Sequence, residues 1–326
     1  MSDERPTLLE RIGAAGASAT SLEGKSSRTQ RIVTLAMVAL VVGFLGGAVA
    51  SQRSRLPDVE WRLRPAWLVA GVLALVAFQY LHAQLWVMII HALGRPLDGA
   101  RGRMVWSVTL LARYVPANVA LAVGRIALAE REGVPKRISL ASIVYELGFT
   151  FAGATIVGAY FLVTLPSLED QPLRWLALAM PVAAVAALDP RIFHTLADLA
   201  LRKLGREALP LSINRGQVLG FVVAFAGSFL VAGFAVYAFA QGIHGLGDGG
   251  LGIAIGSYSV GFAASVLAFL IPGGLGAREG GMVAALSPVL PVTVALAVAV
   301  GIRLAQIGVE VAYATITPAL ARRGAS

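Results

Sequence analysis

The sequence predicts an all-α polytopic membrane protein, and three observations carry that prediction. Hydrophobic residues make up 57% of the 326-residue chain and charged residues only 14%, against about 25% charged in soluble domains. Mean hydropathy is +0.75. Apolar runs long enough to cross a hydrocarbon core of about 30 Å, roughly 20 residues as a helix, recur along the chain. Barrel strands would show short alternating segments instead. Helices satisfy every backbone N–H and C=O within one segment, as lipid requires.

Composition also excludes chemistry. The chain has no cysteine, which rules out disulfides, thiolate catalysis and thiolate-held metals. Its four histidines, His82, His91, His194 and His244, are scattered and form no His-x-x-x-His pair, so no metal and no cofactor is expected. A net charge of +9 suits anionic lipid head groups, and also basic loops that set topology. Nucleic acid is not an expected partner.

Residues 1–31 are polar, mixed in charge and rich in Ser, Gly and Ala, and read as a flexible cytoplasmic tail. The membrane domain is expected over 32–320, with a short cytoplasmic tail at 321–326. The first apolar run, 32–50, ends Ala48-Val49-Ala50. That fits a cleavage site, but the run and its leader are long for a signal peptide and favour an uncleaved helix. The second run, 66–93, carries Gln79, His82 and Gln84, expected to form a packed polar cluster. Segment 104–129 is apolar but broken by Arg113-Tyr114-Val115-Pro116-Ala117-Asn118, with Arg125 beyond. Run 138–165 holds Glu146, and the shorter 173–188 follows. Residues 189–215 contain five basic residues on a partly amphipathic pattern and read as an interfacial helix plus loop. Run 216–240 leads through a loop without Lys or Arg into 251–290. The last span, 291–320, carries Arg303, Gln306 and Glu310.

Positive-inside counting places the clusters at Arg95/Arg101/Arg103, Arg131/Lys136/Arg137 and 191–215 in the cytoplasm, with Arg322 and Arg323. The basic-free loops 166–172 and 241–250 face outward. These assignments agree if 104–129 and 251–290 each enter and leave on one side. The expectation is therefore about six spanning helices plus two re-entrant hairpins, broken at Pro116 and Pro272. Loop 51–65 departs from the rule, since it carries Arg53, Arg55, Arg62 and Arg64 on the outer side. Opposed hairpins in corresponding positions point to an inverted repeat.

The second break, Pro272-Gly273-Gly274-Leu275-Gly276-Ala277-Arg278-Glu279-Gly280, is the most informative stretch. Proline and glycine free backbone groups that lipid cannot satisfy, and charge at a helix centre costs about 2.5–3.5 kcal/mol on insertion scales. Seven ionisable residues share this predicament: Arg113, Arg125, Glu146, Arg278, Glu279, Arg303 and Glu310. Arg303, Gln306 and Glu310 fall on one helix face by their offsets. Either these residues staple the bundle as ion pairs, or the arginine forks hold a phosphate near free N–H groups at a helix start. The two readings coexist. A nucleotide loop lacks its strand–helix context.

Leu111 to Arg125, Glu146, the Pro272–Glu279 string and Arg303 together resemble the membrane domain of aminoacyl-phosphatidylglycerol synthases/flippases. The Pro-Gly-Gly-Leu-Gly-x-Arg-Glu string matches without gaps, and the resemblance covers roughly 32–320. Ala117 stands where the family usually has glycine, Asn118 where a basic residue is frequent, and Glu146-Leu147 where Glu-Arg is common. The resemblance implies a flippase-like transporter for anionic or modified phospholipids, or polyprenyl-linked lipids, in the cytoplasmic membrane. It does not imply the synthase reaction, which belongs to a separate soluble domain. Under this reading Arg278, Arg303 and Arg125 contact the phosphate, with Arg113 nearer the entry. Glu279, Glu146 and Glu310 balance them, and Gly273, Gly274 and Gly276 shape the turn. Expected partners are membrane phospholipids, a second copy of the chain, or a lipid-modifying enzyme. Two alternatives stand beside it: an accessory subunit of a lipid-modifying complex, and a glycosyltransferase using Asp58 and Glu60.

Overall fold

A computed structural model describes residues 43, 61–114, 119–164, 173–193, 195, 213–247, 249–267 and 276–323. The described residues form helices joined by turns, with no strand among them. We number the helices α1 (Pro65–Ala92), α2 (Gly99–Leu110), α3 (Val119–Arg131), α4 (Lys136–Thr164), α5 (Leu173–Ala187), α6 (Arg215–Ile243), α7 (Gly250–Leu267), α8 (Ala277–Leu286) and α9 (Val292–Arg323). A one-turn 3-10 helix, Leu111–Tyr114, extends α2.

Four of these, α1, α4, α6 and α9, are long and apolar enough to cross a membrane. The chain is thus an all-helical polytopic membrane protein. Of the two other spans expected, run 32–50 lies outside the described residues apart from position 43. Run 173–188 becomes the 15-residue α5, about 22 Å at 1.5 Å per residue. The expected interfacial helix at 189–215, the pair Asp58 and Glu60, and Arg53 and Arg55 also fall largely or wholly outside the described residues.

Local chemistry sets the helix starts. Pro65 occupies the first turn of α1, where its missing N–H costs nothing. Asp98 accepts from the Arg101 N–H at 2.9 Å and starts α2. Asn214 and Gln217 form a reciprocal capping box on α6. Gly276 adopts φ +82° before α8, a conformation that glycine accepts freely.

The core has two stacked layers. One gathers Trp86, Ile89 and Ile90 of α1 with Tyr145 and Phe149 of α4 and Phe225 of α6. The other gathers Leu75, Phe229, Val236, Met282, Leu286 and Val298. Helices α4 and α6 therefore run in the same direction, and α1 runs against them. At the end where α6 stops, the Arg62 and Arg64 N–H groups donate to the carbonyls of Ile243 and Gly242 at 2.9 and 2.8 Å. The opposite end collects the basic clusters. There Arg101 meets Glu132 at 3.4 Å and Arg215 meets Asp189 at 2.7 Å. The carboxyl of Asp189 is held below its ordinary value by the Arg215 side chain and then by the Arg191 N–H.

The two sequence breaks sit between short helices. Helix α2 begins and α3 ends at the basic end, and α7 begins and α8 ends at the other; the expected breaks at Pro116 and Pro272 lie outside the described residues. Gly261 of α7 faces α8 so closely that a Cβ there would lie 2.8 Å from the Arg278 carbonyl oxygen. Small residues allow this approach, as they do between membrane helices generally.

Candidate functional site

The seven ionisable residues singled out in the sequence are all described, and helix packing brings six of them into three ion pairs. Gly276 is described as well, whereas Gly273 and Gly274 lie outside the described residues.

Arg125 of α3 is 2% exposed. It donates to Glu146 of α4, and its Nε donates to the Thr109 hydroxyl at 3.1 Å. Its guanidinium lies over the rings of Trp86 and Trp106, 5.4 and 5.6 Å from their centroids. Trp106 also donates its indole N–H to Glu146 at 2.6 Å. Glu146 is thus met by two donors, and Arg125 by a carboxylate, a hydroxyl and two aromatic faces.

The α9 face expected from the 303/306/310 spacing faces both breaks. Arg303 Nε lies 3.5 Å from Glu279 Oε1 of α8, and that contact lacks hydrogen-bond geometry. Gln306 donates to Glu310 at 2.8 Å, while Arg113, beside the first break, reaches Glu310 at 3.4 Å. Glu279 turns its other oxygen to the N–H of Gly276 at 2.7 Å, closing the first turn of α8. One strip of α9 therefore ties the first hairpin to the second.

Arg278 differs from the other three arginines. It is 7% exposed, and no carboxylate among the described residues lies within ion-pair distance of it. Its guanidinium instead lies over the ring of Tyr258 on α7, 4.5 Å from the centroid. A cation over an aromatic face gains about 2 kcal/mol when desolvated. That is less than the several kcal/mol of burying an ion. The cluster carries four arginines and three glutamates, and among the described residues ion pairs join Arg113, Arg125 and Arg303 to a glutamate but not Arg278.

Sequence reasoning missed Tyr258, Trp86, Trp106 and Thr109. A signal existed for the first: Ser257-Tyr258-Ser259 interrupts an apolar run, and all three are buried. Of the expected Gln79–His82–Gln84 cluster, Gln79 and His82 share a buried face of α1, whereas Gln84 leaves the helix in another direction. His82 bonds Ser228 at 3.0 Å, and Gln84 accepts from Arg103 at 2.7 Å. No group of three or more His, Asp or Glu residues that could hold a metal occurs among the described residues.

A family model described as the lysylphosphatidylglycerol synthase transmembrane region matches residues 31–313. No curated protein matches the chain.

Proposed function

We propose that this chain, which belongs to the family of the lysylphosphatidylglycerol synthase transmembrane region, is a lipid transporter of the flippase type. It passes anionic or modified phospholipids, or polyprenyl-linked lipids, between leaflets. Family membership supports a lipid-related membrane domain. The finer reading rests on one observation: Arg278 is buried at a broken helix start with no carboxylate partner among the described residues.

A buried arginine with no carboxylate at ion-pair distance among the described residues has donors to offer an anion. The guanidinium fork matches two phosphate oxygens at once. The start of α8 adds its positive dipole end, and Gly276 leaves room for close backbone approach. Arg303 stands next to this position through its contact with Glu279 at 3.5 Å. Arg125 braces the first hairpin through Glu146 rather than reaching out, and Arg113 links that hairpin to α9. The two hairpins dip into the membrane from opposite faces, so a head group held between them lies between the leaflets. Glu279, Glu146 and Glu310 keep the rest of the site neutral while it is empty.

The test is transbilayer movement of fluorescent anionic and zwitterionic phospholipids in proteoliposomes, wild type against Arg278→Ala. We expect head-group-dependent movement that falls about tenfold or more in the variant, since a charge-assisted contact is worth about 1.5–3 kcal/mol. Movement by Arg278→Ala at the wild-type rate would sink the assignment.

A further inference from the structure

The end of the bundle away from the basic clusters carries two described arginines, Arg62 and Arg64. Basic residues there run against the positive-inside rule, so a local cause is required. Backbone geometry explains how the two described ones are arranged. The stretch 61–64 is extended, with Arg64 at φ −118° and ψ 92°. Its Arg62 and Arg64 N–H groups bond the last carbonyls of α6. Side chains alternate along an extended backbone. Arg62 and Arg64 therefore share one side, and Trp61 and Leu63, 40% and 71% exposed, share the other.

Helix capping at this end uses the backbone of the stretch. The carbonyls of Gly242 and Ile243 are met by backbone N–H groups, and that of Ala240 by the N–H groups of His244 and Gly245. Any residue except proline can make such bonds. The side chains of Arg62 and Arg64 line a cleft of about 350 Å³ instead, with Gln241, His244, Gly245 and Gly247. Gly245, at φ +102°, turns the loop back around it. Tyr237, whose hydroxyl accepts from the cleft residue Gln241 at 3.1 Å, stands edge-on to Trp67 with ring centroids 5.7 Å apart. Tryptophan and tyrosine favour the head-group level of a membrane, and exposed Trp61 and Leu63 present apolar surface beside it.

We propose that Arg62 and Arg64 form an interfacial oxyanion site that holds the phosphate of a lipid head group in the leaflet at this end. The forks supply paired donors for phosphate oxygens, the Gln241 amide braces the cleft wall by donating to the Tyr237 hydroxyl and the Leu246 carbonyl, and the apolar edge lies where acyl chains continue. The site is separate from Arg278 and does not depend on transport.

The chain's lack of cysteine permits a direct test. Gly247 lines the cleft, and a Cβ there meets nothing within 4 Å, so Gly247→Cys carries a fluorophore without disturbing packing. The labelled protein is placed in phosphatidylcholine vesicles with head-group spin-labelled phosphatidylglycerol or, separately, spin-labelled phosphatidylcholine. The anionic lipid should be enriched at the fluorophore by about fivefold or more, given roughly 1 kcal/mol for each basic residue near the surface. Arg62→Gln with Arg64→Gln should abolish the preference, and Arg62→Lys with Arg64→Lys should keep part of it. Equal quenching by both lipids in the wild-type background would overturn the proposal, whatever the variants do. Relief of quenching by inorganic phosphate at constant ionic strength would assign the cleft to a soluble oxyanion and overturn the lipid assignment.

Discussion

Two buried arginines in this molecule are expected to answer mutation in opposite ways. Arg125 and Glu146 satisfy each other inside a wall of Trp86 and Trp106. Glu146→Gln leaves a buried cation with a neutral partner, and such losses cost about 3–5 kcal/mol. Unfolding in detergent should show that loss, and Arg125→Met with Glu146→Leu should restore most of it. A double variant as unstable as the single would contradict the pairing argument. Arg278→Ala removes a cation that has no carboxylate within ion-pair distance among the described residues, so stability should hold or rise while lipid movement falls. Gly276→Ala must hold φ near +82° at about 1–2 kcal/mol, and should loosen the turn that fixes Arg278. All seven charges and the polar face of α9 were legible in the sequence, because charge in an apolar run is conspicuous. Their pairing was not. Which glutamate meets which arginine depends on the order in which helices pack, and no local pattern records it. The aromatic partners were hidden for a related reason, since tryptophan and tyrosine in an apolar helix read as lipid-facing or core.

At the scale of elements, the crossing of α4 and α6 depends on a missing side chain. A Cβ on Gly153 would lie 2.7 Å from the Ala226 nitrogen and the Phe225 carbonyl carbon. Backbone cannot yield as a flexible side chain does, so Gly153→Ala should destabilise by about 1–3 kcal/mol. Gly220→Ala on α6, where nothing lies within 4 Å, should show no such loss in the same melting experiment. The contact between Asp189 and Arg215 predicts a pH dependence. Because the Asp189 carboxyl is lowered on folding, its contribution is complete above the ordinary value of 3.8 and fades as pH falls through the lowered one. Amide protection of Arg191, which donates to Asp189 at 3.0 Å, should follow that loss, and Asp189→Asn should flatten it. The long apolar helices were evident from composition. The start of α2 was not: its first residues, Gly99-Ala100-Arg101-Gly102-Arg103, are polar. Helix forms there because Asp98 caps it and buried Gly102 fits closely against Val87 and Leu97.

Across the whole molecule, the basic clusters lie at one end and the Arg62/Arg64 cleft at the other. Single cysteines at Gly247 and Arg137 should therefore react with an impermeant thiol reagent from opposite sides of a sealed vesicle. Reaction from the same side would refute the through-membrane arrangement of α1, α4, α6 and α9. The pairing across the breaks has a further, electrical consequence. The first hairpin carries Arg113 and Arg125, whose partners Glu310 and Glu146 sit on other helices. The second carries Arg278 and Glu279 together. A membrane potential therefore pulls on the first hairpin with two charges, at about 2.3 kcal/mol per charge per 100 mV for full transit, and leaves the second nearly indifferent. If the hairpins move in turn, voltage biases one half of the cycle alone. Lipid movement measured under potentials of opposite sign should then differ between directions, and Arg113→Gln should reduce that difference.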